Sequence, residues 1–398
     1  MSSTAAPVVT LIEKLKSLTP RLEEGENQVT RNDALELARE LVRSLERPED
    51  VAGDTIFSPL VPVAAKIAID LDLLGLMVKC DGAITSDELA EQSGAEELLI
   101  TRILRVLAAA GLIADVGDRT WQASPITRAM AVENIAAGYR MVQNGLMAAA
   151  NMAPKYLKEI DYRCPTDPKD GLMQYTYQSK LNSFQILYSL PGVLEDFSSY
   201  MGHVAGARQI WLDWFPIQER LIDGASEAKD SVLLVDIAGN QGHDLIAFQK
   251  KYPNHGRRLI LQDLPMVIKD VGTLPPGIEA MAYDFFTEQP VKGARAYYYH
   301  HTLHNWSDYK CEEMLNRVRA AMKPGYSKLF IHDMIVPETK ASSFIAMMDL
   351  MMMIFNGGIE RTARQWKTLL ERAGLEVVRV WLAPEADAGG IVEAVVKG

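Results

Sequence analysis

Apolar residues recur at helical spacing along residues 31–46 (RNDALELARELVRSLE), and the run stops before Pro48, which predicts an amphipathic helix. Residues 61–78 are more uniformly apolar, as a buried helix would be. Thr85-Ser86-Asp87-Glu88 has the spacing of a capping box, in which the Thr hydroxyl satisfies an N–H at the helix start and Glu88 reaches back. The short helix it opens should end at Gly94, and a second should run from about Glu96 to Ala110 and stop at Gly111. The next residues, LIADVGDRTWQAS, alternate like two short strands about a Gly-Asp turn. Helix, turn, helix and hairpin in that order predict a winged helix.

The Pro-, Asp- and Gly-rich segment 161–172 (DYRCPTDPKDGL) reads as a linker, which sets the expected domains at 1–170 and 171–398. Two or three helices should follow, to about Leu221. From Ser231 the rhythm becomes alternating strand and helix, with apolar strands at 231–237, 258–262, 295–300, 327–333, 375–382 and 390–396, and another just before Asp284. That rhythm predicts a doubly wound, Rossmann-like α/β sheet with ligands outside the carboxyl ends of its strands. A short loop joins the last two strands, so they should pair antiparallel.

Composition narrows the function. The chain has 398 residues, 48% hydrophobic and 23% charged, with a net charge of −11. The winged-helix stretch 85–124 carries three basic residues against seven acidic ones, a field that repels a phosphate backbone, so nucleic acid is not an expected partner. The wing is expected to serve dimerisation or cover a substrate. Three scattered cysteines, Cys80, Cys164 and Cys311, give neither a disulfide framework nor a zinc knuckle. No secretory signal or membrane-spanning run is evident, and a cytoplasmic location is the expectation.

The candidate chemistry sits at strand ends. The first strand of the second half runs into VDIAGNQGHD, where Asp236, Gly239 and Gly242 stand at a strand-to-helix turn that lets backbone N–H groups approach a ligand. A nicotinamide-type GxGxxG cannot be placed there, because Asn240 and His243 take required glycine positions. The looser pattern of methyltransferases, an acid followed by GxGxG, is met in part: Ala238 and Asn240 fall on the first two glycines and Gly242 on the third. Asp263 closes the second strand, where an acid can accept hydrogen bonds from both ribose hydroxyls. Asp284, with Phe285, could hold and stack an adenine. The plainer reading of both acids is a turn or helix cap.

After the fourth strand comes YYYHHTLHNWSD, with His304 in the connection just before a helix that begins at Ser307 and Asp308. A histidine titrating near neutrality is a natural base for a hydroxyl. Asp333 ends the fifth strand, and Glu360 stands in NGGIERT before a further helix; both can converge on the crevice to orient an imidazole. His300 and His304 are four apart, but there is no HExxH and His300 ends a strand, so no metal site is expected. The methionine-rich run 347–353 leads into Asn356, and Met348, Met352 and Asn356 are expected to line a pocket for a flat ligand, with Met147 and Phe184 as weaker candidates.

Together the strings VDIAGNQGHDL, LILQDLP, LHNWSD, HDMIVP and GGIERTARQWKTLLERAGL resemble the plant and fungal S-adenosylmethionine-dependent O-methyltransferases of the caffeic acid type, especially the fungal polyketide branch. The resemblance covers most of the chain. It implies that His304 is the catalytic base, with Glu360 and Asp333 as its flanking acids. It also implies that Asp263, Asp284 and Trp306 hold the donor's ribose and adenine. The implied activity is transfer of a methyl group from S-adenosylmethionine to a hydroxyl of a small aromatic or polyketide-type metabolite. A homodimer with an exchanged first domain is implied as well. Three departures stand out: AGNQG replaces a glycine-rich loop, His300 takes a place in the donor site usually held by Lys or Arg, and Asp333 is shorter than the usual Glu. The alternative is a methyltransferase-like pericyclase or dehydratase that binds the donor without consuming it.

Overall fold

The structure is a computed structural model that describes residues 5–25, 28–207, 210–228, 230–385 and 387–397. It divides into two compact units, Met1–Gln143 and Asn144–Gly398.

In the first unit the predicted 31–46 helix is found as Gln28–Leu45, preceded by a helix, Ala5–Glu23, that the sequence reading did not single out. The apolar run 61–78 is two helices, Leu60–Asp70 and Leu73–Lys79, because Asp72 adopts a left-handed conformation (φ 51°) between them. The capping box is present: Glu88 N donates to Thr85 Oγ1 (3.2 Å) and Thr85 N donates to Glu88 Oε2 (2.8 Å), opening the helix Ser86–Ser93. Gly94 (φ 74°) ends that helix, and Gly111 (φ 72°) follows the helix Glu97–Ala109. Strands β1 (Ala83–Thr85), β2 (Ala114–Gly117) and β3 (Thr120–Gln122) form an antiparallel sheet in the order β1-β3-β2, the wing. Buried Trp121 locks wing to helix by donating from Nε1 to Ser86 Oγ (2.9 Å). No single described helix is long and apolar enough to cross a membrane; Pro48–Phe57 and Leu60–Asp70 reach that length only as a pair bent by 42°.

The second unit starts earlier than the Pro-rich segment indicated. Helix Met147–Glu159 packs on helices Leu172–Tyr177 and Ser343–Asn356, so 161–172 is a loop within this unit and not a linker between domains. Its core is a seven-stranded sheet of β4 (Val232–Ile237), β5 (Arg258–Asp263), β6 (Ile278–Ala282), β7 (Ala296–His300), β8 (Lys328–Asp333), β11 (Leu375–Leu382) and β12 (Gly390–Val396), ordered β11-β12-β8-β7-β4-β5-β6. Two short strands, β9 (Ile335–Val336) and β10 (Arg361–Thr362), pair in parallel beside it. The large sheet is parallel except for β12, antiparallel to both neighbours, as the short connection predicted. Alternation sorts its side chains onto two faces. Tyr297, Tyr299, Leu329 and Ile331 meet Met314, Leu315 and Trp366 on one; Tyr298 and Phe330 meet Trp211, Phe215 and Phe248 on the other. Strand order turns back between β4 and β7, which places the crevice at their carboxyl ends.

Candidate active site

At the end of β4 the chain turns through Ala238 (φ 63°), Asn240 (φ 51°) and Gly242 (φ 76°). Two side-chain-bearing residues thus hold the left-handed geometry that glycine adopts at lowest cost, about 1–2 kcal/mol of strain for a residue with Cβ and less for Asn. Gly239 is required for a different reason: a Cβ there would stand 2.4 Å from Asp236 Oδ2 and 2.6 Å from Leu261 Cδ1. Asp236 is buried beneath this turn, and neither of its oxygens has a hydrogen-bond partner among the described residues. Burial, reinforced by the charges of Asp244 and Asp263, pushes its pKa well above the usual carboxylate range.

Asp263 accepts hydrogen bonds from Asn240 N (2.9 Å, Oδ2) and Leu264 N (2.7 Å, Oδ1), which fixes its carboxylate beside the turn. Burial raises its pKa, and those two backbone bonds work in the opposite direction. Asp284 is a turn residue here, accepting from Phe286 N (3.0 Å) at Oδ1 and from Thr287 at its carbonyl. Phe285 and Phe286 meet Trp306 edge-on, at 5.8 and 4.9 Å between ring centroids, forming an aromatic wall. Asp263 ends β5, Phe285 follows β6 and Trp306 follows β7, so all three lie on the carboxyl side of the sheet. His300 pairs through Nδ1 with Asp244 Oδ2 (2.8 Å) and stacks on His332, with centroids 4.0 Å apart.

The reacting end is the more constrained. β7 ends at His300, and a short turn Leu303–Asn305 carries His304 into the interior, where it is 7% exposed. Its Nδ1 is 2.7 Å from Glu360 Oε1. The glycines of Asn356-Gly357-Gly358 make that pairing possible: a Cβ on Gly358 would lie 2.2 Å from the His304 carbonyl, and Ile359 N donates to that same carbonyl (2.9 Å). Asn356 Nδ2 donates to the Asn305 carbonyl (2.9 Å), so this residue braces the loop with the group expected to meet a ligand. Glu360 is held from behind as its N donates to Asp349 Oδ1 (2.9 Å). Arg361, which the sequence reading passed over, is 1% exposed and donates to Asp308 Oδ1 (3.0 Å) and to the carbonyls of Trp306 (2.8 Å), Ile359 (3.2 Å) and Leu303 (3.3 Å).

Burial acts to lower the His304 pKa, but the charges of Glu360 and Asp333 and the hydrogen bond to Glu360 outweigh it and raise it to about 9. Asp333 is wholly buried, with a pKa that burial raises to about 7 against the opposing charge of His304. It does not hydrogen-bond His304 as Glu360 does. Among the described residues neither of its oxygens has a hydrogen-bond partner, so it acts on the ring through charge alone.

Of the expected pocket residues, Phe184 packs edge-on against Phe355 (4.8 Å) and stacks with Trp306 (6.5 Å). Met352 is buried, Met348 and Met147 are half-buried, and Met347 is 64% exposed, so the methionine run is divided between interior and surface.

The sequence matches the O-methyltransferase domain family over residues 217–376 and the O-methyltransferase dimerisation domain family over residues 54–133. The O-methyltransferase penC of Penicillium thymicola is 46% identical over 385 residues, 96% of each chain. Two solved structures superimpose with a TM-score of 0.86. One is a pericyclic reaction enzyme, 30% identical over 98% of this chain and all of its own. The other is OxaC in complex with SAH and oxaline, 27% identical over 99% of this chain and all of its own. The chain belongs to the S-adenosylmethionine-dependent O-methyltransferases. Its methyl donor is S-adenosylmethionine, and its homologues act in fungal secondary metabolism on small molecules.

Proposed function

We propose that His304 is the general base that frees a hydroxyl of a small aromatic or polyketide-type metabolite for methylation, and that Glu360 orients it. The observation that carries this is the buried 2.7 Å pairing of His304 Nδ1 with Glu360, locked by Gly358 and Arg361. Glu360 fixes the tautomer, so Nε2 is the nitrogen left to take a proton. Glu360 and Asp333 then favour the imidazolium that results. When bound, S-adenosylmethionine supplies a methyl group activated by its sulfonium. Asp236, Gly239 and Gly242 would hold the donor's amino acid end, with His300 nearby. Asp263 would hold its ribose, and Asp284, Phe285 and Trp306 its adenine. Phe184, Met147, Met348 and Met352 would flank the acceptor. A positioned base contributes about 10²–10⁴-fold, and alignment of oxygen with methyl more, since effective molarities reach about 10⁵–10⁸ M. Transfer itself needs no metal.

The protein is further proposed to act as a homodimer in the cytoplasm. Ile56, Phe57, Leu60 and Val63 stay exposed at the start of the segment that matches the dimerisation family, an apolar surface suited to a second copy. A second reading, pericyclic chemistry with retained donor, draws on the pericyclic enzyme among the structural neighbours. Incubation with methyl-labelled donor and a panel of fungal phenolic metabolites separates the two. Labelled product is the outcome expected; an altered product without label would replace the transferase reading with the pericyclic one.

A further inference from the structure

The corner that closes β7 sets beside the base and its buried acid one residue that methyl transfer does not use. His301 lies in that corner with φ 46°, and its Nδ1 is 3.8 Å from Asp333 Oδ1. One ligand-type atom from each of His301, His304 and Asp333 falls within 4.8 Å of the other two. His300, four residues before His304, is turned to Asp244, and its neighbour His301 takes the place beside the base. Asp333 is fully buried, and among the described residues both of its oxygens lack the hydrogen bonds that compensate a desolvated carboxylate. His304 contributes the complementary half: Nδ1 bonded to Glu360 is the carboxylate–histidine arrangement that orients a metal-ligating imidazole through its other nitrogen. The His301 side chain is 34% exposed, which gives an ion a way in from solvent.

We propose that His301, His304 and Asp333 bind a divalent transition-metal ion of the zinc class, with Glu360 behind His304. Two imidazoles and one carboxylate suit zinc or cobalt and are a poor set for magnesium or calcium, which take oxygen ligands. Bonds of about 2.0–2.2 Å require the trio to draw together, and His301 is the least buried of the three. Three protein ligands leave a fourth position open to water or to a substrate oxygen. An ion on His304 also occupies the nitrogen assigned above to the substrate proton, so its binding switches methyl transfer off; this consequence alone rests on the proposed function.

Chelator-treated enzyme is titrated with zinc chloride by calorimetry and with cobalt chloride by visible absorption, alongside His301→Asn and Asp333→Asn. The expected result is one ion per chain, a cobalt band of tetrahedral type, and affinity at least tenfold weaker in each variant. Metal-free His301→Asn methylates at the wild-type rate and needs at least tenfold more zinc for inhibition. No saturable binding, or equal affinity in wild type and His301→Asn, overturns the proposal. Zinc binding as described in an enzyme that methylates no hydroxyl would leave the metal site standing and remove the function instead.

Discussion

The two ends of the crevice are built on opposite terms. At the reacting end, His304 and Glu360 are fixed several times over, by the close approach of Gly358, by the Ile359 and Asn356 hydrogen bonds, and by the buried Arg361 fork. At the donor end, Ala238 and Asn240 hold a left-handed turn that glycine would hold without strain. A base must meet one proton at one distance, so its surroundings leave it no alternative. A turn that only has to present backbone N–H groups tolerates residues poorly suited to its geometry, provided that Gly239 keeps clear of Asp236. Constraint is concentrated where a small displacement would be most damaging.

Substitutions sharpen this contrast. The largest effect is expected from Arg361→Met, which removes the buried donors that Trp306, Ile359, Leu303 and Asp308 accept from and should cost about 3–5 kcal/mol, measurable by chemical unfolding. Gly358→Ala should come next, at roughly 2–3 kcal/mol with strongly impaired transfer, because its new Cβ meets backbone that cannot move aside. Glu360→Gln, which keeps shape and removes charge, should lower kcat about 10²-fold while the fold melts near its normal temperature. It should also move the pH profile. In chelator-treated wild-type enzyme, kcat/KM should rise with pH toward about 9, as His304 loses its proton, and flatten above. Glu360→Gln removes a charge that favours the protonated ring, so its midpoint should lie at lower pH. The smallest effect is Ala238→Gly, which should relieve about 1 kcal/mol of strain and raise the melting temperature by about 1–2 °C. An unchanged or lower melting temperature would show that the turn is not strained as described.

Much of this was legible in the residues. The capping box at Thr85, the glycine stops and the strand alternation are local signals, and each appears as read. The pairing of Glu360 with His304 was reached through motif order, which stands in for contact between residues 56 positions apart. What was missed depends on tertiary context. Arg361 follows an acid and reads as a surface charge; only the returning loop 303–308 shows that it is a buried donor. His301 and His300 are neighbours in sequence, and the left-handed backbone at His301 decides which of them faces Asp333. The break at Asp72 and the loop 161–172 were misread for a related reason. A single left-handed residue leaves the apolar pattern intact, and a Pro-rich loop inside a domain has the composition of one between domains.

His304→Ala, followed in one preparation by donor calorimetry and by methyl transfer, tests the central claim most directly. The account predicts donor affinity within about threefold of wild type and transfer reduced by about 10² or more. Transfer within tenfold of wild type, or donor binding lost together with it, would contradict the assignment of His304 as the base.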